Sequence, residues 1–257
     1  MTSPFLATAL QAARAAEATI MRYYQNDFTV ELKPDQTPVT VADVETEQVI
    51  KQIILERFPD HGFFGEETGK VNADAEFNWL IDPIDGTKSF LRGYPMFSTQ
   101  IALMQGDELI VGVSNAPGMS ELAYAEKGHG AYLNEQRIQC SDYSTLAQAA
   151  LSLGNIATLA SHPQQWQNLG NIIQQVQRIR GYGDFLHYHL LAAGKLDGVV
   201  ESDVNILDIA ALAVIVREAG GVFTDLDGNE LGLDTTSVLA AATPTLHERL
   251  LQALRVT

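Results

Sequence analysis

Trp79-Leu80-Ile81-Asp82-Pro83-Ile84-Asp85-Gly86-Thr87-Lys88-Ser89-Phe90 is the stretch that decides the fold. Its first three apolar residues read as the end of a buried strand. Two carboxylates follow, three positions apart, across a proline. Pro83 fixes its own φ and keeps Ile81 and Asp82 extended. The chain therefore leaves the sheet stiffly, with Asp82 and Asp85 held at the strand end. Gly86 lets the backbone come close to a ligand. A helix beginning near Thr87 would turn its N–H groups toward an anion. Hard carboxylates beside an anion-binding turn are the parts of a magnesium–phosphate site. The same residues also read as an Asp/Pro/Gly-rich loop that caps a helix.

Composition narrows the surroundings of that stretch. The chain has 257 residues, 46% of them hydrophobic, which is enough for a sizeable core. A net charge of −16 argues against nucleic acid and anionic membrane surfaces as partners. It leaves phosphorylated substrates open, because bound cations neutralise carboxylates locally. Cys140 is the single cysteine, so no internal disulfide forms. Met1 to Gln11 has neither a basic start nor a long apolar run. No stretch reaches membrane-spanning length. A soluble cytoplasmic protein is expected, with a homodimer as its assembly.

Upstream of the motif, residues 3–25 read as a helix with Leu6, Leu10, Ala13, Ile20 and Met21 on one stripe. Lys33 to Asp43 holds two prolines among polar residues and reads as a loop. Asp43 is a candidate N-cap for a helix carrying Val49, Ile50, Ile53 and Ile54. His61 to Phe64 is a short strand ending at Gly65-Glu66-Glu67. Those adjacent acids point to opposite sides when extended, so one can face a cation and the other a supporting partner; a solvated acidic turn is the alternative.

Downstream, Met96–Met104, Leu109–Val113, Leu122–Ala125 and Ala131–Leu133 read as short strands of a mostly antiparallel sheet. The character changes around Ser141 to Ala149. Strands at 150–153, 197–201, 222–224 and 238–241 then alternate with helices at 163–178, 183–195, 207–219 and from Thr243-Pro244 onward. Two α/β (α+β) halves follow, residues 1–140 and 141–257, with no linker between them.

Asp82-Pro83-Ile84-Asp85-Gly86-Thr87 resembles the signature of the inositol monophosphatase superfamily of metal-dependent phosphatases. Gly65-Glu66-Glu67 matches its acidic pair. Asp208 with Ala210-Ala211 and Glu218-Ala219-Gly220-Gly221 matches its C-terminal motif, and the resemblance runs from about Lys33 to Gly228 in the family's order. It implies the layered αβαβα sugar-phosphatase fold, with the metal site between the halves, and two or three Mg2+ ions as cofactor. By resemblance Glu66, Asp82, Asp85, the Ile84 carbonyl and Asp208 bind metal. Thr87, held by Asp43, orients the attacking water with Glu66, and Asp85, Gly86 and Thr87 meet the phosphate. Lys33, Asp35, Pro38-Val39-Thr40, Asp43 and Glu47 match a family segment whose loop closes over the site. Asp208 has an alternative as a helix N-cap, a place Asn205 could fill instead. Leu207 stands where relatives have Trp.

Substrate choice is read from smaller signals. Lys88-Ser89-Phe90 and Arg180-Gly181-Tyr182-Gly183-Asp184 resemble the histidinol-phosphatase branch, and Glu201 and Asn205 sit at its offsets before Asp208. Arg180, Asp184, Glu201 and Asn205 are therefore candidate substrate residues, with Asp184 and Glu201 facing a cationic amine or imidazole. Asp184 has the alternative of capping a helix after Gly183. His187 and His189 stand two apart on a helix and cannot share a face, which excludes a histidine metal site. Tyr188 and Phe185 read as packing. The leading function is hydrolysis of histidinol phosphate, with lithium sensitivity implied by the resemblance. The alternatives are inositol 1-phosphate, another sugar phosphate, a nucleotide 3′-phosphate, or a non-catalytic relative. The last is signalled by loss of a metal carboxylate or the threonine, and all of these are present.

Overall fold

Strand Phe77–Asp85 runs inside the sheet of the first of two units in this computed structural model, which describes residues 2–24, 30–32 and 38–255. The first unit comprises Met1–Lys127 with Leu207–Val214, the second Gly128–Ile206 with Ile215–Thr257. Six strands of the first unit lie side by side in one sheet, in the order Glu121–Glu126, Glu108–Ala116, Ser98–Gln105, Phe77–Asp85, Gly62–Gly65, Gly69–Val71, and Val30–Leu32 pairs with Pro38–Thr40 apart from them. Every pair is antiparallel except Gly62–Gly65 with Phe77–Asp85. The motif strand is thus covered on both edges, which suits its unbroken apolar run.

Helix Pro4–Tyr23 starts where Ser3 accepts the Leu6 N–H at 3.1 Å and Pro4 occupies the first turn. Its buried stripe is mostly alanine: Ala9, Ala12, Ala13 and Ala16, with Leu6 and Ile20. Small residues let the helix settle closely on Trp79, Ile81, Leu103 and Val113, beside Ile50 and Ile54 of helix Val41–Arg57. Met21, expected on the stripe, is exposed. One further helix of this unit is placed by a glycine. A Cβ at Gly112, in mid-strand, would lie 2.3 Å from the Ala211 carbonyl oxygen. Only a bare backbone lets residues 207–214 of helix Ile206–Glu218 approach that closely.

The second unit holds a five-stranded sheet ordered Arg178–Arg180, Ala150–Leu153, Gly198–Ser202, Ser237–Ala241, Val222–Thr224. The first three strands are parallel and the last two join antiparallel. Leu151, Val200 and Leu239 pack with Leu169 and Ile172 of helix Pro163–Ile173 and with Leu246 and Leu250 of helix Pro244–Leu254. The expected helix at 163–178 stops at Ile173 because the Gln177 N–H turns to the Ala149 carbonyl and Arg178 to Arg180 join the sheet edge. No helix among the described residues is long and apolar enough to cross a membrane.

Candidate metal centre

The motif strand breaks register where its acids stand. It pairs with Ser98–Gln105 as far as Asp82, slips, and resumes at Asp85 opposite Ser98. The slip contains Pro83, which cannot donate to a ladder. Two bonds fix it: Asp82 Oδ1 accepts the Ile84 N–H at 2.9 Å, and the Thr99 hydroxyl donates to the Pro83 carbonyl at 2.9 Å. Asp82 is buried; Asp85 is half-buried, with the Ser98 hydroxyl donating to it at 3.4 Å. Gly86 follows at φ 85°, and a Cβ there would meet the Met96 carbonyl oxygen at 2.6 Å, so glycine is required on both counts. The expected helix then begins at Thr87 and ends at Leu91.

Asp208 completes the cluster. Carboxylate oxygens of Asp82, Asp85 and Asp208 all lie within 4.8 Å of one another. Asp208 stands inside the first turn of its helix, which begins at Ile206, so the N-cap alternative fails. It belongs with the first unit through residues 207–214. Glu66 approaches from the neighbouring strand: its N–H donates to the Ile81 carbonyl at 3.2 Å and its carboxyl hydrogen-bonds with Asp82. Burial first, and then the charges of Glu66, Asp85 and Asp208, hold the Asp82 carboxyl well above the usual carboxylate range. The three charges that act most strongly on Asp82, those of Glu66, Asp85 and Asp208, are negative. Such an all-oxygen, all-acid donor set fits a hard cation, which would relieve the repulsion and draw the proton off Asp82.

Asp43 differs from its expected role. Helix Val41–Arg57 starts two residues before it, with Thr40 as the cap and Asp43 closing a capping box. Asp43 Oδ2 accepts both the Thr40 N–H at 2.7 Å and the Thr40 hydroxyl at 2.6 Å. The expected bond to Thr87 is not made; the Thr87 hydroxyl donates to the Ile84 carbonyl at 3.0 Å. Asp43 Oδ1 is buried with no hydrogen-bond partner. Burial, outweighing the two Thr40 hydrogen bonds, raises the Asp43 carboxyl to about 6. Lys33 and Asp35 lie outside the described residues.

In the second unit the candidate substrate residues have separate settings. Glu201 is buried, and its carboxylate is engaged from within: Oε2 accepts the Tyr188 hydroxyl at 2.7 Å and Oε1 accepts the Asn155 N–H at 3.0 Å. His187 Nε2 lies 3.2 Å from Oε2 without hydrogen-bond geometry, and His187 Nδ1 is 3.3 Å from the Ser152 hydroxyl. Gly154 has no side chain because a Cβ would sit 2.0 Å from Oε1. Asp184 is half-buried and opens helix Asp184–Ala192 after Gly183, the N-cap position; Asp184 itself has φ 45°, a strained value for a side-chain-bearing residue. Arg180 and Asn205 are exposed, and Arg180 Nη1 donates to the Ile179 carbonyl at 2.7 Å.

The polar support under the centre escaped the sequence reading. Ser98, Thr99, Gln100 and Ser114 are fully buried, and Gln100 Nε2 donates to the hydroxyls of Ser98 at 2.7 Å and Ser114 at 3.1 Å. The signal was three consecutive polar residues, Ser98-Thr99-Gln100, in a segment otherwise fit for a core strand.

The family model described as the inositol monophosphatase family matches residues 1–256. The chain belongs to that family. A histidinol-phosphatase from Mycobacterium tuberculosis is 39% identical over 228 residues, covering 87% of each chain. A histidinol-phosphatase from Streptomyces coelicolor is 36% identical and covers 93% of this chain and 92% of its own. The solved structure of an inositol monophosphatase from Anabaena superposes with a TM-score of 0.84 at 32% identity, covering 97% of this chain and 94% of that one. The mixed α/β fold expected from the resemblance is therefore the observed one, and the family's phosphatases are phosphoric monoester hydrolases.

Proposed function

We propose that this protein is a magnesium-dependent phosphomonoesterase whose substrate is histidinol phosphate. One observation carries the reading: Asp82, Asp85 and Asp208 converge within 4.8 Å, beside Glu66. Glu66, Asp82, Asp85, the Ile84 carbonyl and Asp208 would hold Mg2+, which when bound supplies charge for the phosphate and acidifies water. The Thr87 hydroxyl spends its proton on the Ile84 carbonyl, so its oxygen is left to accept from a water and aim it. Glu66 is half-buried and placed to take that water's proton. The Gly86 and Thr87 N–H groups would hold the phosphate oxygens as water adds to phosphorus and the bond to the alcohol oxygen breaks. Asp43, with one buried oxygen unpartnered, is positioned to receive a hydrogen bond during the cycle.

The histidinol branch is supported by Lys88-Ser89-Phe90, by Arg180 to Asp184 and by two relatives that carry that name. Because Glu201 is engaged by Tyr188 and Asn155, Asp184 is the residue we assign to the substrate's cationic end. Arg180 and Asn205 remain candidate substrate residues on the strength of the resemblance. Inositol 1-phosphate is the second reading, favoured by the likeness to the Anabaena structure.

Phosphate release over histidinol phosphate, inositol 1-phosphate, fructose bisphosphate and a 3′-phosphoadenosine phosphate, with and without Mg2+ and with added Li+, tests the assignment. Turnover should require Mg2+, favour histidinol phosphate in kcat/KM, and fall with Li+. Asp184→Asn should weaken histidinol phosphate several-fold and leave inositol 1-phosphate nearly unchanged, since a neutral polyol bonds an amide as well as a carboxylate. A wild-type preference for inositol 1-phosphate would move the assignment to the second reading.

A further inference from the structure

Glu47 lies in the middle of helix Val41–Arg57 and is fully buried. A buried carboxylate is expensive unless it is hydrogen-bonded. Its partners are two successive peptide groups: Oε2 accepts the Glu67 N–H and Oε1 accepts the Thr68 N–H, each at 2.7 Å. The distances are those of charge-assisted bonds. Space is cleared for them, since a Cβ at Gly65 would stand 2.3 Å from Oε1. Lys51, one helical turn on, adds a bond from its ammonium to the Thr68 hydroxyl at 3.0 Å.

Glu66 is therefore pinned on both sides. Its own N–H is tied to the Ile81 carbonyl, the residue before Asp82, and the next two N–H groups are clamped by Glu47. Left unanchored, the turn would be free to swing Glu66 away from Asp82, since only the Ile81 carbonyl would then hold its backbone. We infer that Glu47 is a positioning residue: it anchors the Gly65–Thr68 turn to the helix so that Glu66 is already held beside Asp82 when the cation arrives. This rests on the assignment of Glu66 to metal. A glutamine at 47 offers one acceptor where two N–H groups need one each, and an aspartate keeps the charge but falls short of the turn.

Calorimetric titration of the full-length protein with Mg2+ alone tests this. Glu47→Gln and Glu47→Asp should each weaken Mg2+ about tenfold, as loss of a partner behind a ligand does. The Mg2+ concentration for half-maximal rate should rise in step, with a smaller fall in kcat at saturation. Loss in Glu47→Asp separates geometry from charge. Placed on Glu66→Gln, Glu47→Gln should add nothing further, because the residue it positions no longer binds. Unchanged Mg2+ affinity in both single variants overturns the inference, even if they melt earlier, and so does a full additive loss on Glu66→Gln. If Glu47→Gln gives no cooperative melt, Gly65→Ala displaces the carboxylate with its charge intact, and normal Mg2+ affinity there overturns it equally. No Mg2+ binding by the wild type would instead remove the functional reading beneath it, and that is seen before any variant is made.

Discussion

Asp82 and Glu201 are both buried acids on strands, and their surroundings are opposite. Asp82 is pressed by Glu66, Asp85 and Asp208, and burial and those charges favour its neutral form. Glu201 is met by the Tyr188 hydroxyl and the Asn155 N–H, with His187 against one oxygen. The first environment asks for a positive charge from outside the chain. The second is complete with what the chain supplies. A buried carboxylate marks a ligand site only when its neighbours leave its charge uncompensated.

The comparison is broken most decisively by activity. Asp82→Asn and Asp208→Asn should each lower kcat by roughly 10²-fold or more at saturating Mg2+, since charge stabilisation there is worth several kcal/mol. Their metal-free forms should melt no earlier than wild type, because an acid that its buried, acidic neighbours disfavour in the charged form has been replaced by a neutral amide. Near-normal turnover in either would end the metal assignment. Glu201→Gln should do the reverse: metal-free stability falls by about 1–3 kcal/mol, and Mg2+ affinity stays at the wild-type value. Denaturant unfolding beside a Mg2+ titration reads both, and a stabilised Glu201→Gln would show that the acid is strained like Asp82.

The smallest expected effect concerns Asp43. Its carboxyl is raised from 3.8 to about 6, so the folded state holds a proton that the unfolded chain has released. That contribution is present below pH 4 and is lost as pH rises through about 6. Asp43→Asn should therefore stabilise the metal-free protein at pH 7 by roughly 1–3 kcal/mol relative to its effect at pH 4. The capping box survives in part, because the amide oxygen still accepts from Thr40. Equal effects at both pH values would show that burial does not perturb the acid.

Much of this was legible in the chain itself. Asp82, Pro83 and Asp85 announce a stiff strand end, and the Gly86–Thr87 turn follows from backbone rules that act over a few residues. The sequence reading ended the strand near Ile81, whereas the ladder continues past a slip to Asp85, because pairing partners such as Ser98 are visible only in three dimensions. Capping shows the same limit. Asp43 looked like the N-cap, yet Thr40 takes that place, since both residue types cap well and only the backbone angle decides. Glu201 stands out along the chain only by its offset from Asp208; nothing there says that Tyr188 and Asn155 donate to its oxygens. The edge strand Gly69–Val71, with little buried on either face, left no pattern to read.

The contact of Gly112 with Ala211 also has a meaning for how the protein is made. Asp82 and Asp85 leave the ribosome early, with their strand and its neighbours, while Asp208 emerges only after most of the second unit has been synthesised. No N-terminal fragment that stops short of that helix contains all three acids. The cluster of three acids is thus completed late, when a bare stretch of strand receives the helix backbone. Until then the nascent chain carries the motif without Asp208, and the three-acid cluster is a late product of synthesis rather than a property of the signature itself.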